Sequence, residues 1–250
     1  MFSKSPAVLI GTAFINSPSH YFLMTKSLSR PASTQSFASA SDDDNDTCKP
    51  RILCLHGKFQ SADVFSNKIA GARRKIAREY DLHFLDGPII LEENEDARAW
   101  WLRLDDGSHT MVQEALDYVA EQTQNHKYDA IIGFSQGGTL ATALALSGLL
   151  PKVKAVVTAG APHIPEAFEV ANKLAESQPD WSVEVGKNIP KFHLGGETDA
   201  MVSLDWTRSL VESGGNGKFV IHEQGHLFPT RSARVKEILD FLGGELLENK

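Results

Sequence analysis

From residue 50 onward, short apolar runs alternate with stretches in which apolar side chains recur at helical spacing. Arg51 to His56 (RILCLH) predicts a buried strand, by its length, its β-branched content and the glycine that stops it. Between Ser61 and Tyr80, Phe65, Ile69, Ala72, Ile76 and Tyr80 fall on one stripe, which predicts a helix. Leu82 to Leu85 is a second strand, and Met111 to Gln124 a second helix with Val112, Leu116 and Val119 turned inward. The strand Tyr128 to Phe134 runs directly into an apolar helix, Gly137 to Ser147. Further strands follow at Lys154 to Ala159, Lys191 to Gly195 and Lys218 to His222, with helices near 165–176, 203–213 and 230–242. Strand and helix alternate six times, which predicts an α/β fold: a doubly wound, mostly parallel six-stranded sheet with helices on both faces. The link over 160–189, with Pro162, Pro165, Pro179 and Trp181, is the longest and is a candidate for a small cap over a cleft.

The first 41 residues break this pattern. They hold no Asp or Glu, ten serines and three basic residues, Lys4, Lys26 and Arg30. That is the composition of a transit segment, and it points to a plastid or mitochondrion. The apolar run Pro6 to Ile15 behind Lys4 also fits a signal-peptide core, and a disordered tail on a cytoplasmic protein is the plainer alternative. Phe37-Ala38-Ser39-Ala40 is a candidate processing neighbourhood, Met24 is an alternative start, and Asp42 to Asp46 reads as a solvated linker. The chain thus divides into a targeting or disordered segment with its linker, 1–46, and a catalytic-sized domain, 47–250.

Composition narrows the function. At 250 residues, 42% hydrophobic and 23% charged, the chain can bury a full core with a recessed site. Its net charge of −7 becomes −10 once residues 1–41 are set aside, which argues against nucleic acid as a partner. No apolar run reaches the roughly 18 residues of a membrane span. Cys48 and Cys54 make no disulfide framework, and no Cys/His cluster has zinc spacing, so a reducing compartment, no metal and no cofactor are expected.

Gly133-Phe134-Ser135-Gln136-Gly137 is a G-x-S-x-G motif set where a strand meets a helix. A serine at such a turn stands above the sheet edge, and the helix start offers free backbone N–H groups to a developing oxyanion. The bland alternative is a tight turn whose serine only caps the helix. A serine nucleophile needs a base and an orienting acid, both from loops at the carboxyl ends of strands. Asp199 follows the strand 191–195, and His226 follows the strand 218–222. Asp205 and Glu197 compete for the acid, though Asp205 falls in the next predicted helix. His222 competes for the base, but it sits at the end of its strand, whereas Gly225 lets the chain turn His226 back toward the cleft. The backbone N–H groups of Gln136 and of Lys58, in the loop after the first strand, are the candidate oxyanion donors, with Phe59 behind Lys58. Phe59, Trp100 and Trp101 are candidate substrate contacts, although one of the two tryptophans is expected to be a core anchor.

Leu55-His56-Gly57-Lys58-Phe59-Gln60, Asp86-Gly87-Pro88, Ala99-Trp100-Trp101 and Gly133 to Gly138 together resemble the fungal-type family of serine hydrolases, which includes the ovarian-cancer-associated hydrolases of animals. Gly225-His226 with Pro229 fits as well, and the likeness covers roughly 50–245. The chain departs from the family pattern at Lys58-Phe59, where an aromatic followed by a basic residue is more usual. The resemblance implies an α/β-hydrolase fold and an esterase or thioesterase acting on small-molecule or lipid-like acyl substrates. An acyl-protein thioesterase or lysophospholipase is the nearest alternative, and a non-catalytic ligand-binding protein of the same fold is the alternative outside enzymes.

Overall fold

A computed structural model of the chain describes residues 49–91 and 94–247. The expected leader and linker over 1–46 lie outside the described residues. Strand β1 (Arg51–Leu55) leads through helices α1 (Ala62–Lys68) and α2 (Ala70–Ile76) to β2 (Asp81–Leu85). Two small antiparallel pairs come next, β3 (Ile89–Leu91) with β4 (Asn94–Ala99) and β5 (Leu102–Arg103) with β6 (His109–Thr110). The chain continues as α3 (Val112–Thr123), β7 (Ala130–Phe134), α4 (Gln136–Ser147), β8 (Ala155–Ala159), α5 (Pro165–Ser177) and α6 (Val183–Asn188). It ends with β9 (Lys191–Gly196), α7 (Leu204–Gly214), β10 (Gly217–His222) and α8 (Ser232–Leu246).

The six expected strands form one sheet in the order β10-β9-β8-β7-β1-β2, and every pairing is parallel. Parallel strands covered on both faces must bury both sets of alternating side chains. Leu53, Leu55, Ile131 and Val156 point into a core closed by α3, α4 and α5. Ile52, Cys54, Ile132, Val157 and Phe192 point the other way, into a core closed by α1, α2 and α8. All twelve residues of α4 are buried, which explains why its sequence is apolar all round instead of striped.

Three expectations change. The predicted helix over 61–80 is two helices broken at Ile69 (φ −97°, ψ 17°), yet Phe65, Ile69, Ala72, Ile76 and Tyr80 are all buried as the stripe requires. The 160–189 segment contributes Pro162 and Ile164 to the cleft wall, but its helix α5 is not a cap. Ala167, Phe168 and Ala171 of α5 bury against the core beside α4, so the segment completes a helical layer. The two antiparallel pairs between β2 and α3 occupy a stretch that the apolar pattern left blank.

Candidate active site

The chain leaves β1 for β2 on one side and returns to β7 on the other, so the carboxyl ends of β1 and β7 bound a topological switch point, the usual place for a cleft in such sheets. Register brings the site residues to that edge. Leu55 pairs with Gly133, Phe134 with Ala159, Ala159 with Leu194, and Gly196 with His222. The segments that run past these pairs carry Gly57 and Lys58, Ser135, Gly160, Asp199 and His226.

Ser135 sits at the N-cap of α4 with φ 51° and ψ −120°, a conformation that costs an L-residue about 1–3 kcal/mol. The turn is held from both directions: Ser135 N–H donates to the Ala159 carbonyl at 2.9 Å, and the Ser135 carbonyl accepts from Gly138 N–H at 2.9 Å. A β-carbon at position 137 would lie 2.3 Å from the Leu55 carbonyl oxygen, so only glycine lets α4 start this close to β1.

His226 Nε2 lies 3.0 Å from Ser135 Oγ, and His226 Nδ1 lies 2.7 Å from Asp199 Oδ2. Asp199 Oδ1 accepts from the N–H groups of Met201 and Val202, both at 2.8 Å, so each carboxylate oxygen is committed. That side chain is 1% exposed and the histidine 15%, which shields the pair from solvent. The Phe134 ring packs on the imidazole with centroids 5.0 Å apart. The rivals stand elsewhere: Asp205 pairs with Arg208 on α7, Glu197 is exposed, and His222 is buried with Nδ1 accepting from Gln224 N–H.

Gly160, which the sequence reading passed over, belongs to this group. Its φ is +55°, and a β-carbon there would sit 3.1 Å from both Cε1 and Nδ1 of His226 and 3.5 Å from Asp199 Oδ2. The only sequence signal was a glycine just past a strand end in Ala159-Gly160-Ala161-Pro162.

The loop after β1 is braced by His56, which has no role among the sequence-based expectations, and by the side chains of Trp100 and Gln136. His56 is fully buried; its Nε2 accepts from Gly87 N–H at 2.8 Å, so Nδ1 carries the proton and donates to the Gly57 carbonyl at 2.8 Å. Burial lowers its pKa to about 4, which keeps the ring neutral. The Trp100 ring stacks on it at 4.9 Å and donates Nε1–H to the His56 carbonyl at 2.8 Å. The Gln136 side chain then ties this corner to the nucleophile turn, accepting from Trp100 N–H and donating to the Trp101 carbonyl, both at 2.9 Å. Trp100 is therefore withdrawn as a substrate contact: it is fully buried and stands behind the cleft, while Trp101 lines it.

Phe59 N–H is occupied by the Arg98 carbonyl at 2.8 Å, whereas among the described residues the N–H groups of Lys58 and Gln136 have no backbone acceptor. A β-carbon at Gly57 would lie 3.2 Å from Ser135 Cβ, so the loop carrying Lys58 passes against the serine. The Phe59 ring is 52% exposed at the mouth, with the Lys58 ammonium 4.9 Å from its centroid. The cleft has a volume of about 800 Å³, and Phe65, Phe134, Ile164, Val202 and Phe228 supply apolar walls. No group of His, Cys, Asp and Glu side chains able to hold a metal ion occurs among the described residues, and no helix among them is long and apolar enough to cross a membrane.

Known proteins resemble this chain in fold and in sequence. A maize acyl-protein thioesterase 2 structure superposes with a TM-score of 0.60 at 16% identity, over 80% of this chain and 95% of that one, and it has the α/β-hydrolase fold. An uncharacterized hydrolase of Schizosaccharomyces pombe is 28% identical over 78% of this chain, which spans only 51% of that relative's length. An esterase of Drosophila melanogaster is also 28% identical, over 81% of this chain and 76% of its own. The model of one family, the serine hydrolases designated FSH1, matches residues 46–238. That span takes in every site residue described above, and the chain belongs to this family of serine hydrolases.

Proposed function

We propose that the chain hydrolyses carboxylic esters or thioesters of acyl chains through an acyl intermediate on Ser135. The observation that carries this reading is the continuous relay from Ser135 Oγ to His226 Nε2 at 3.0 Å and from His226 Nδ1 to Asp199 Oδ2 at 2.7 Å. His226 takes the hydroxyl proton as Ser135 Oγ attacks the acyl carbonyl, and Asp199 holds the ring in the tautomer that leaves Nε2 free. The two N–H groups of Asp199's own loop keep its carboxylate from turning away. Gln136 N–H, at the positive end of α4, and Lys58 N–H receive the charge that develops on the carbonyl oxygen. The imidazolium gives its proton to the departing alcohol or thiol. Water deprotonated by His226 then attacks the acyl-serine, and collapse of the second tetrahedral state frees the acid and the serine. The apolar walls suit an acyl chain, because each buried CH₂ contributes about 0.8 kcal/mol.

Hydrolysis of p-nitrophenyl esters from acetyl to palmitoyl, with Ser135→Ala as the blank, tests the reading. A rate that depends on Ser135 and peaks at one chain length is expected. Asp199→Asn should lower kcat by about 10²–10⁴-fold with the fold intact. A rate equal to the Ser135→Ala blank at every length, on esters and on matched thioesters, would refute the proposal.

A further inference from the structure

The cleft carries charge of one sign. Lys58, Lys68 and Arg103 line it, and no carboxylate is among its described lining residues. This runs against the composition, in which acidic residues outnumber basic ones by 32 to 25. Among the described residues, none of the three cations lies within ion-pair distance of a carboxylate. His109, which also faces the cleft, is by contrast already paired with Glu166. Burial, and secondarily the Arg103 guanidinium, lower the Lys58 pKa.

The chain ties two of these cations to the surroundings of the serine. Lys58 follows Gly57, which lies against Ser135, and Arg103 is two residues past Trp101, whose carbonyl is bound by the Gln136 side chain. Two residues of chain span at most about 7 Å. Phe65, Ile69, Phe134 and Phe228 line the same cleft, and low-dielectric walls strengthen the field that unpaired cations set up in a cleft.

We infer that the cleft selects acyl esters or thioesters bearing a second, anionic group, a carboxylate or a phosphate, which the side chains of Arg103, Lys68 and Lys58 hold while the apolar walls take the chain. The inference rests on the hydrolase reading of Ser135 and adds the substrate class. A cation that served only the oxyanion would speed neutral and charged substrates alike; one that holds the substrate's own anion changes their ratio.

Two matched pairs measure that ratio on the full chain. Mono-p-nitrophenyl adipate against its methyl-capped neutral counterpart places a carboxylate on the acyl side. Butyryl-coenzyme A against butyryl-N-acetylcysteamine places phosphates on the leaving side. In at least one pair, kcat/KM should favour the charged member by about tenfold, and the preference should shrink as salt rises. The pair that responds identifies carboxylate or phosphate. In Arg103→Gln/Lys68→Gln the ratio should fall toward one, and Arg103→Lys should keep most of it. The salt series on the unaltered chain keeps the test valid should the double variant fold poorly. Equal or faster turnover of the neutral member in both pairs, or an unchanged ratio in a folded double variant, overturns the inference and leaves the hydrolase reading standing. Absence of Ser135-dependent turnover in all four compounds would instead overturn the hydrolase reading, and the inference with it.

Discussion

Gly160→Ala places a single methyl group beside the histidine–aspartate pair. The methyl carbon would lie 3.1 Å from His226 Cε1 and Nδ1, against the roughly 3.5 Å at which such atoms rest comfortably, so the ring must retreat by about 0.4 Å. Either the 2.7 Å bond to Asp199 or the 3.0 Å approach to Ser135 absorbs that movement. With a 1 Å misplacement costing about 10²-fold, a few tenths of an ångström should lower kcat by about fivefold to tenfold. Stability should change little. The positive φ costs an L-residue about 1–2 kcal/mol, and the stiffer unfolded chain returns about 0.4–1 kcal/mol. The net is about 1 kcal/mol, or a Tm lower by about 2–4 °C. Steady-state kinetics on a p-nitrophenyl ester and a thermal melt of the same preparation give both numbers. An unchanged kcat alongside the small Tm drop would mean that the methyl group is accommodated without moving the ring, and the account of Gly160 would be wrong.

Gln136→Ala strands the buried Trp100 N–H and Trp101 carbonyl, so urea unfolding should show a loss of about 2–6 kcal/mol, at about 1–3 kcal/mol per orphaned group; a loss below about 0.5 kcal/mol would show that this side chain does not brace the corner. Stability should also fall on mild acidification. Burial holds the pKa of His56 down to about 4 and that of His193 to about 3, so from pH 6.5 down to 4 the unfolded chain binds protons that the folded chain refuses. Their contribution is complete above pH 6.5 and is lost progressively below it, by several kcal/mol in all, at about 1.4 kcal/mol per proton and pH unit. Equal urea midpoints at pH 7 and pH 5 would contradict this.

The strands and the candidate triad were legible because they depend on local signals. Runs such as AIIGF and AVVTA are buried on both faces and leave little room for another reading. Their carboxyl ends then point to Ser135, Asp199 and His226. What stayed hidden depends on contacts between distant residues. The β3–β4 pair draws on Asn94 to Ala99, a mostly polar stretch whose strand character comes from pairing with Ile89 to Leu91 and from the bridge between Arg98 and Gln60. Ile69 interrupts the helical stripe without leaving it, so periodicity cannot register the break. His56 looked like the end of a strand because its partners, Gly87 and Trp100, lie 31 and 44 residues away. The roles of the two tryptophans could not be separated by type or spacing. One residue of offset decides which ring stacks under His56 and which faces the cleft.

The placement of β10 at the sheet edge bears on how activity is lost. Among the described residues this strand pairs only with β9 and is incompletely covered, with Ile221 40% exposed, yet the loop beyond it brings the candidate base to a serine 91 residues earlier in the chain. Edge strands and their loops are among the first segments to open in native-state fluctuations, at free energies well below that of global unfolding. Opening β10 separates His226 from Ser135 while β1, β7 and β8 remain packed. On warming or in mild denaturant, catalysis should therefore disappear before the far-ultraviolet circular dichroism changes. In refolding it should be the last property to return, which would make hydrolysis a sensor of the integrity of the sheet's final strand.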